Sequence, residues 1–435
     1  MVPSLRNLTL DLSPLRHHRE YRAILIGQAI NGMGAQVTRI ALPYQLYVTT
    51  HSALALGALS SVQLAGILLF SLVGGAVADA VDRRALLFCT QTALCAVSTC
   101  LALMALANQS TPWLLFLLAF LGSAFSALDS PARSALIPRL VTRERLSAAI
   151  SINQATYQTA SVIGPGLGGL LIAWGGLPAA YGVDAATFSA AFIALLALPS
   201  IPPLHDVPRP SLESVREGLR FVRRVPVILS GFVIDLDAMV FGLPVALFPV
   251  LALDFFHAGP QGLGLLVSAP AAGAVLGVVT SGWLQRARWQ GRVLIGVVGV
   301  WGAAITLFGL MPSLPLAMLF LAVAGGADAI SAILRSTINQ LTSPDALRGR
   351  VSSLHMMVVT SGPRLGDIEA TMVASATSAQ FSVVSGGLAC RLGLVLVARR
   401  FPELARYDAT AAIAAMEAEQ GPRELPAGAA PATNG

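Results

Sequence analysis

Apolar stretches long enough to cross a bilayer follow one another along nearly the whole chain, separated by short breaks of glycine, proline or charge. A hydrocarbon layer of about 30 Å takes about 20 helical residues to cross. Twelve stretches reach that length, roughly 22–48, 54–78, 84–107, 112–136, 147–174, 178–199, 227–252, 261–284, 292–311, 315–338, 350–375 and 379–398. Backbone polar groups in lipid must be bonded within the protein, which leaves only helices or closed barrels. Barrel strands are short and alternate apolar with polar residues, and these stretches do not. Composition agrees, since 11% of residues are charged against about 25% in a soluble domain. The chain reads as an all-α membrane protein with 12 transmembrane helices.

The basic residues are all arginine, and they alternate with the spans. Connections after spans 1, 3, 5, 9 and 11 hold no arginine, and the one after span 7 has only Asp254 and His257 as titratable groups. The even connections hold Arg83 and Arg84; Arg139, Arg143 and Arg145; Arg209, Arg216, Arg220, Arg223 and Arg224; Arg286 and Arg288; Arg348 and Arg350. Positive charge stays in the cytoplasm, which places both termini and every even loop there. The net charge of +6 is thus a matter of topology and calls for no nucleic acid. Residues 1–20 carry Arg6, Arg16 and Arg19 around no apolar core, so a cleavable signal peptide is not expected. Cys89, Cys95, Cys100 and Cys390 fall inside apolar runs and read as buried packing residues.

The chain is written twice. Span 5 contains Ser161 to Gly169, SVIGPGLGG, and span 11 answers with Ser361 to Asp367, SGPRLGD. Gly164 and Gly168 form a G-x-x-x-G face on which another helix can approach closely. Asp129 and Arg133 at the end of span 4 likewise match Asp328 and Arg335 at the end of span 10. Two six-helix halves with a site between them is a transporter plan. The organisation expected is a cytoplasmic segment 1–20, a first half 21–199, a central loop 200–226, a second half 227–400 and a cytoplasmic, disordered tail 401–435. Within the loop, Ser211 to Arg224 reads as an amphipathic helix serving as an interface anchor or a strut.

The stretch GAVADAVDRR, Gly75 to Arg84, lies between spans 2 and 3 and resembles the loop signature of the major facilitator superfamily. Ala80 and Asp82 depart from it, standing where the family prefers a basic residue and a glycine. The resemblance implies a conformational latch: Asp79 bridging to the start of span 11, with Arg83 and Arg84 near the acid Asp129, followed by Arg133. The second-half counterpart, Ser281 to Arg286, has no aspartate and looks degenerate. Gly164, Pro165, Gly168 and Gly169 are similar to the antiporter motif of the drug-efflux branches. Thr49 to Ser52, the Gly-Gly and Asp79 before paired basics, and Gly168 to Leu171 resemble the enterobactin-exporter family over about residues 20 to 400.

An ionisable group at the centre of a membrane helix costs about 2.5–3.5 kcal/mol on insertion scales, so each one asks for a role. Span 11 holds Arg364 and Asp367, one turn apart, and Glu369 on the opposite face. Asp367 or Glu369 is a candidate proton carrier; the alternative is a structural ion pair. Asp235 and Asp237 of span 7 also point to opposite faces, with Asp235 the nearer to the cytoplasmic entrance. Gln36 and Arg39 make span 1 polar, and Arg39 can meet an acid, bind an anionic substrate or snorkel outward. His355 stands alone, and Asp184 and Asp254 read as interfacial. A chain without lysine has no Walker loop, and no cofactor, metal or catalytic constellation is expected. The function read is proton-coupled export of a small molecule, a siderophore or drug, by a monomer whose partners are substrate, protons and lipid. The alternatives are a non-transporting protein of the same fold, or an importer or uniporter.

Overall fold

The computed structural model describes the backbone of residues 11–198 and 212–420, and the side chains there except 72–80, 212–215, 285, 345–346 and 415–420. The long helices are α1 (Arg19–Thr50), α2 (Ala53–Ala80), α3 (Arg83–Leu106), α4 (Pro112–Ser134), α5 (Leu146–Leu196), α6 (Leu212–Arg224), α7 (Pro226–Phe241), α8 (Gly259–Thr280), α9 (Gln290–Leu310), α10 (Leu314–Thr342), α11 (Asp345–Ala376), α12 (Ala379–Arg400) and α13 (Ala409–Gln420). Nine segments among the described residues are long and apolar enough to cross a membrane. One of them is broken at Gly176, whose φ of 69° suits a residue without a Cβ, so α5 has two arms. α1 and α11, 32 residues each, have the length but carry more polar side chains. The arrangement is consistent with twelve spans.

Local chemistry sets the ends. Asp82 accepts the Ala85 N–H at the start of α3, and Ser378 accepts that of Phe381 at the start of α12. Proline opens α4, α7, α8 and α10 within their first turns, where its missing N–H has no intrahelical partner to lose.

Each half has its own apolar core, one around Leu46, Leu115 and Tyr181, the other around Trp301, Phe308 and Leu321. The cores meet only through Tyr44, Ala53, Ala246 and their neighbours, at the end of the bundle whose loops lack arginine. At the arginine-bearing end the clusters stay within one half: Ile24, Leu87 and Leu136; Tyr21, Val141 and Ile152; Val222, Ile228 and Val351. Among the described residues, the halves are therefore joined at the arginine-poor end.

The amphipathic helix docks on the second half. Val222 is buried beside Ile228 and Val351, and Glu217 meets Arg350 at 2.6 Å. Within the tail, the described residues Ala409–Gln420 form helix α13, and 421–435 lie outside the described residues. Arg288 holds Asp408 at 2.7 Å, and the Ala409 N–H donates to the Arg288 carbonyl. Cys89 and Cys100 are exposed and only Cys390 is buried, so apolar surroundings on α3 mean a lipid-facing side rather than a core.

Candidate functional site

Two Gly-Pro helices carry the junctions. A Cβ on Gly164 would meet the Gln36 side chain at 2.5 Å, and one on Gly168 would meet Ile40 at 2.8 Å, so this face seats α1. Gln36 is buried there, donating to Ser161 Oγ at 3.4 Å. In the second half, Gly362 and Gly366 of α11 seat Met239 and Val240 of α7 in the same way. Gly169 turns to the other half, where a Cβ would lie 2.5 Å from the Pro260 carbonyl. Across that crossing, a Cβ on Gly264 of α8 would lie 2.5 Å from the Pro165 carbonyl. Missing Cβ atoms thus let α5 and α8 cross with their backbones nearly touching.

The second inter-half junction is polar. Asp367 on α11 is buried, accepts Ser60 Oγ of α2 at 3.0 Å, and accepts the Ala246 N–H beyond α7 at 2.9 Å. Arg364, one turn earlier, approaches the same carboxylate at 3.9 Å. Exposed Arg39 on α1 lies within electrostatic range of both. The Tyr47 hydroxyl also donates to Asp254, tying α1 to the turn after α7. One carboxylate therefore joins α2, α11 and the turn after α7, with two guanidinium groups beside it.

The remaining acids part company with the sequence reading. Asp235, the one placed nearer the cytoplasmic entrance, is fully buried, 3.0 Å from Arg335, and its second oxygen lies 3.6 Å from His355, which is thus not alone. Asp237 faces α12, where Gly393 leaves room for its carboxylate. Glu369 makes no hydrogen bond or ion pair among the described residues. It shares its side of α11 with the exposed Leu365 and Met372, away from Asp367. Asp184 is buried as well, accepting Thr38 Oγ1 at 2.6 Å and Ser98 Oγ at 2.7 Å inside the first half. Periodicity separates the faces of a helix but does not say which neighbour fills each one, so these partners left no local signal.

A family profile described as transmembrane secretion effector matches residues 9–424. The chain belongs to that family. It is 34% identical to an enterobactin exporter of Citrobacter koseri and 33% identical to one of Escherichia coli O1:K1. Each match covers 90% of this chain and 95% of the relative. In fold it is similar to a nucleoside transporter (TM-score 0.72, 16% identity, 88% of this chain and 99% of that one). It also resembles an inward-facing bacterial homologue of ferroportin (0.68, 16%, 89% and 98%). This is a major facilitator transporter, embedded in the membrane by many spans.

Of the residues implied for a family latch, the described side chains are those of Arg83, Arg84, Asp129 and Arg133. Positions 75 and 79 lie in α2 where side chains are outside the described ones. Arg83 is buried and donates to the Ala135 carbonyl at the end of α4, while Arg84 is half-buried. Asp129 is held by its own helix and by α3: Arg133 at 2.6 Å, Thr90 at 2.8 Å and Gln91 at 2.9 Å. With i,i+4 spacing on one helix, Arg133 reaches the carboxylate first, so the acid expected near the loop arginines is already paired.

Proposed function

We propose that this secretion-effector transporter exports a small, partly apolar, acidic molecule of the siderophore class from the cytoplasm in exchange for protons. It works as a monomer by alternating access, with both termini cytoplasmic. The observation that carries the reading is kinship over nearly full length with enterobactin exporters. The geometry supports it in two ways. The halves meet at the arginine-poor end, the outer end by the positive-inside rule, which corresponds to an inward-facing state. Arg39 and Arg364 stand beside that junction, where an anionic substrate would find charge-assisted partners.

Inside-out vesicles carrying the protein, given an imposed pH gradient, are expected to accumulate enterobactin, and collapse of the gradient to abolish the accumulation. Uptake no greater than in vesicles lacking the protein would overturn the substrate class. Uptake indifferent to the gradient would overturn the coupling.

A further inference from the structure

α7, α10 and α11 gather four ionisable side chains inside the second half, to which neither the motifs nor the relatives' names give a role. Asp235 Oδ1 lies 3.0 Å from Arg335 Nη2, and Asp235 Oδ2 lies 3.6 Å from His355 Nδ1. The same arginine nitrogen lies 3.8 Å from Asp328 Oδ1, two turns back along α10, and that side chain is 42% exposed. Arg335 Nη1 donates to Ser331 Oγ at 2.9 Å, and Phe232 packs edge-on against His355.

The other charged side chains described on the neighbouring helices have partners of their own or face away, with Arg348 two turns before His355 on α11. α8 has no titratable residue. Arg292 of α9 donates to the Ala405 carbonyl, and Arg350 of α11 is taken by Glu217. Asp237 is turned to Gly393 of α12, and Arg391, Arg399 and Arg400 of that helix are exposed.

The charges do not balance. Two carboxylates face one guanidinium, with the His355 imidazole 3.6 Å from one of them; while that ring is uncharged, one negative charge is in excess. The matching place in the first half pairs one acid with one arginine, Asp129 with Arg133. Enclosing an uncompensated charge is costly, so the second-half cluster has a reason to bind a proton.

The geometry points to Asp328 as the proton-binding group of this transporter, with Arg335 as the arm that passes between Asp328 and the fixed counter-charge Asp235. Asp328 is the carboxylate that water reaches and the one held at the longer distance. On loading, an O–H bond forms on Asp328 as an O–H bond of a hydronium ion breaks, leaving water. Arg335 then belongs to Asp235, and the neutral cluster can be enclosed as the halves close. Release on the other side reverses the step and draws Arg335 back. His355 is a positioning residue that holds the far oxygen of Asp235. The inference rests on the proposed proton exchange, because it names where that exchange happens.

The test is infrared difference spectroscopy of the protein in lipid nanodiscs between low and high pH, with transport read in vesicles. Wild type is expected to show a carboxylic-acid C=O band that Asp328→Asn removes and that Asp367→Asn and Glu369→Gln retain. In vesicles, Asp328→Asn should still exchange labelled for unlabelled enterobactin, while its pH-driven accumulation ratio falls to unity. Should that variant fail to insert, Asp328→Glu carries the test: its band must shift in frequency, whereas a proton held elsewhere leaves it unmoved. A band unchanged in Asp328→Asn, or unmoved in Asp328→Glu, overturns the assignment. A band lost in Asp328→Asn from a protein that moves no enterobactin leaves the assignment standing and overturns the substrate reading.

Discussion

A single carboxylate, Asp367, ends up holding α2, α11 and the turn after α7, although Arg364, the opposite charge nearest it in sequence, is only one turn away. Removing it leaves the buried Ala246 N–H without its acceptor and Ser60 without a partner. An unmade buried hydrogen bond costs about 1–3 kcal/mol, a shift of roughly tenfold in a two-state balance. Asp367→Ala should therefore favour opening at the arginine-poor end. Spin labels at Gln109 and Pro312, on exposed loops of opposite halves, would report it as a population at longer distance. An unchanged distance distribution would deny Asp367 that role. Asp408, outside the membrane, gives a pH prediction. Hydrogen bonds from Thr410, then Arg288, hold its carboxyl down to about 2 from an ordinary 3.8. A depressed pKa contributes stability above the unfolded value and loses it as pH falls through the folded one. The contact between the tail and Arg288 should thus be indifferent to pH from neutrality down to about 4, then loosen toward about 2. Pepsin cleavage within residues 402–420, rising over that window, would check it.

At the scale of elements, the crossing of α5 and α8 depends on missing atoms rather than on bonds. Gly169→Val would push a side chain into the Pro260 carbonyl, 2.5 Å from the new Cβ, and should cut export at least tenfold, while the protein still inserts. Gly166→Ala, whose Cβ would sit 3.6 Å from Ser268 Oγ, has ordinary contact distance and should transport normally. Equal activity of the two variants would show that the crossing does not need close approach. The same logic explains why both Gly-Pro helices keep a G-x-x-x-G face toward the first helix of their own half. Only α5 adds a further glycine for the helix across the interface.

For the whole molecule, the decisive feature is that its halves are joined at one end. Gly57 and Thr371 face each other across the junction of α2 and α11, where a Cβ on residue 57 would stand 3.1 Å from the Thr371 Cβ. A disulfide needs about 3.5–4.5 Å between Cβ atoms, within reach of a small adjustment. In a background lacking the four native cysteines, Gly57→Cys with Thr371→Cys should cross-link on oxidation. Transport should stop, and reductant should restore it. Transport that continues in the cross-linked protein would refute alternation about this junction.

How much of this was legible beforehand follows from the range of each interaction. Span lengths, the break between arms at Gly176, the arginine alternation and the internal repeat are local or periodic properties, and a bilayer forces them to appear in the sequence. The i,i+3 neighbourhood of Arg364 and Asp367 was legible for the same reason, since helix geometry alone makes it. Partner choice was not. Asp235 with Arg335, Asp367 with Ser60, and Asp184 with Thr38 join residues distant along the chain. A buried charge takes whichever partner the packing of three helices delivers. The sequence by itself determined a two-fold bundle of membrane helices and marked its buried charges; the tertiary structure alone decided which of them face one another. Low-dielectric surroundings make every buried charge need a partner, but only the fold sets which one is within reach.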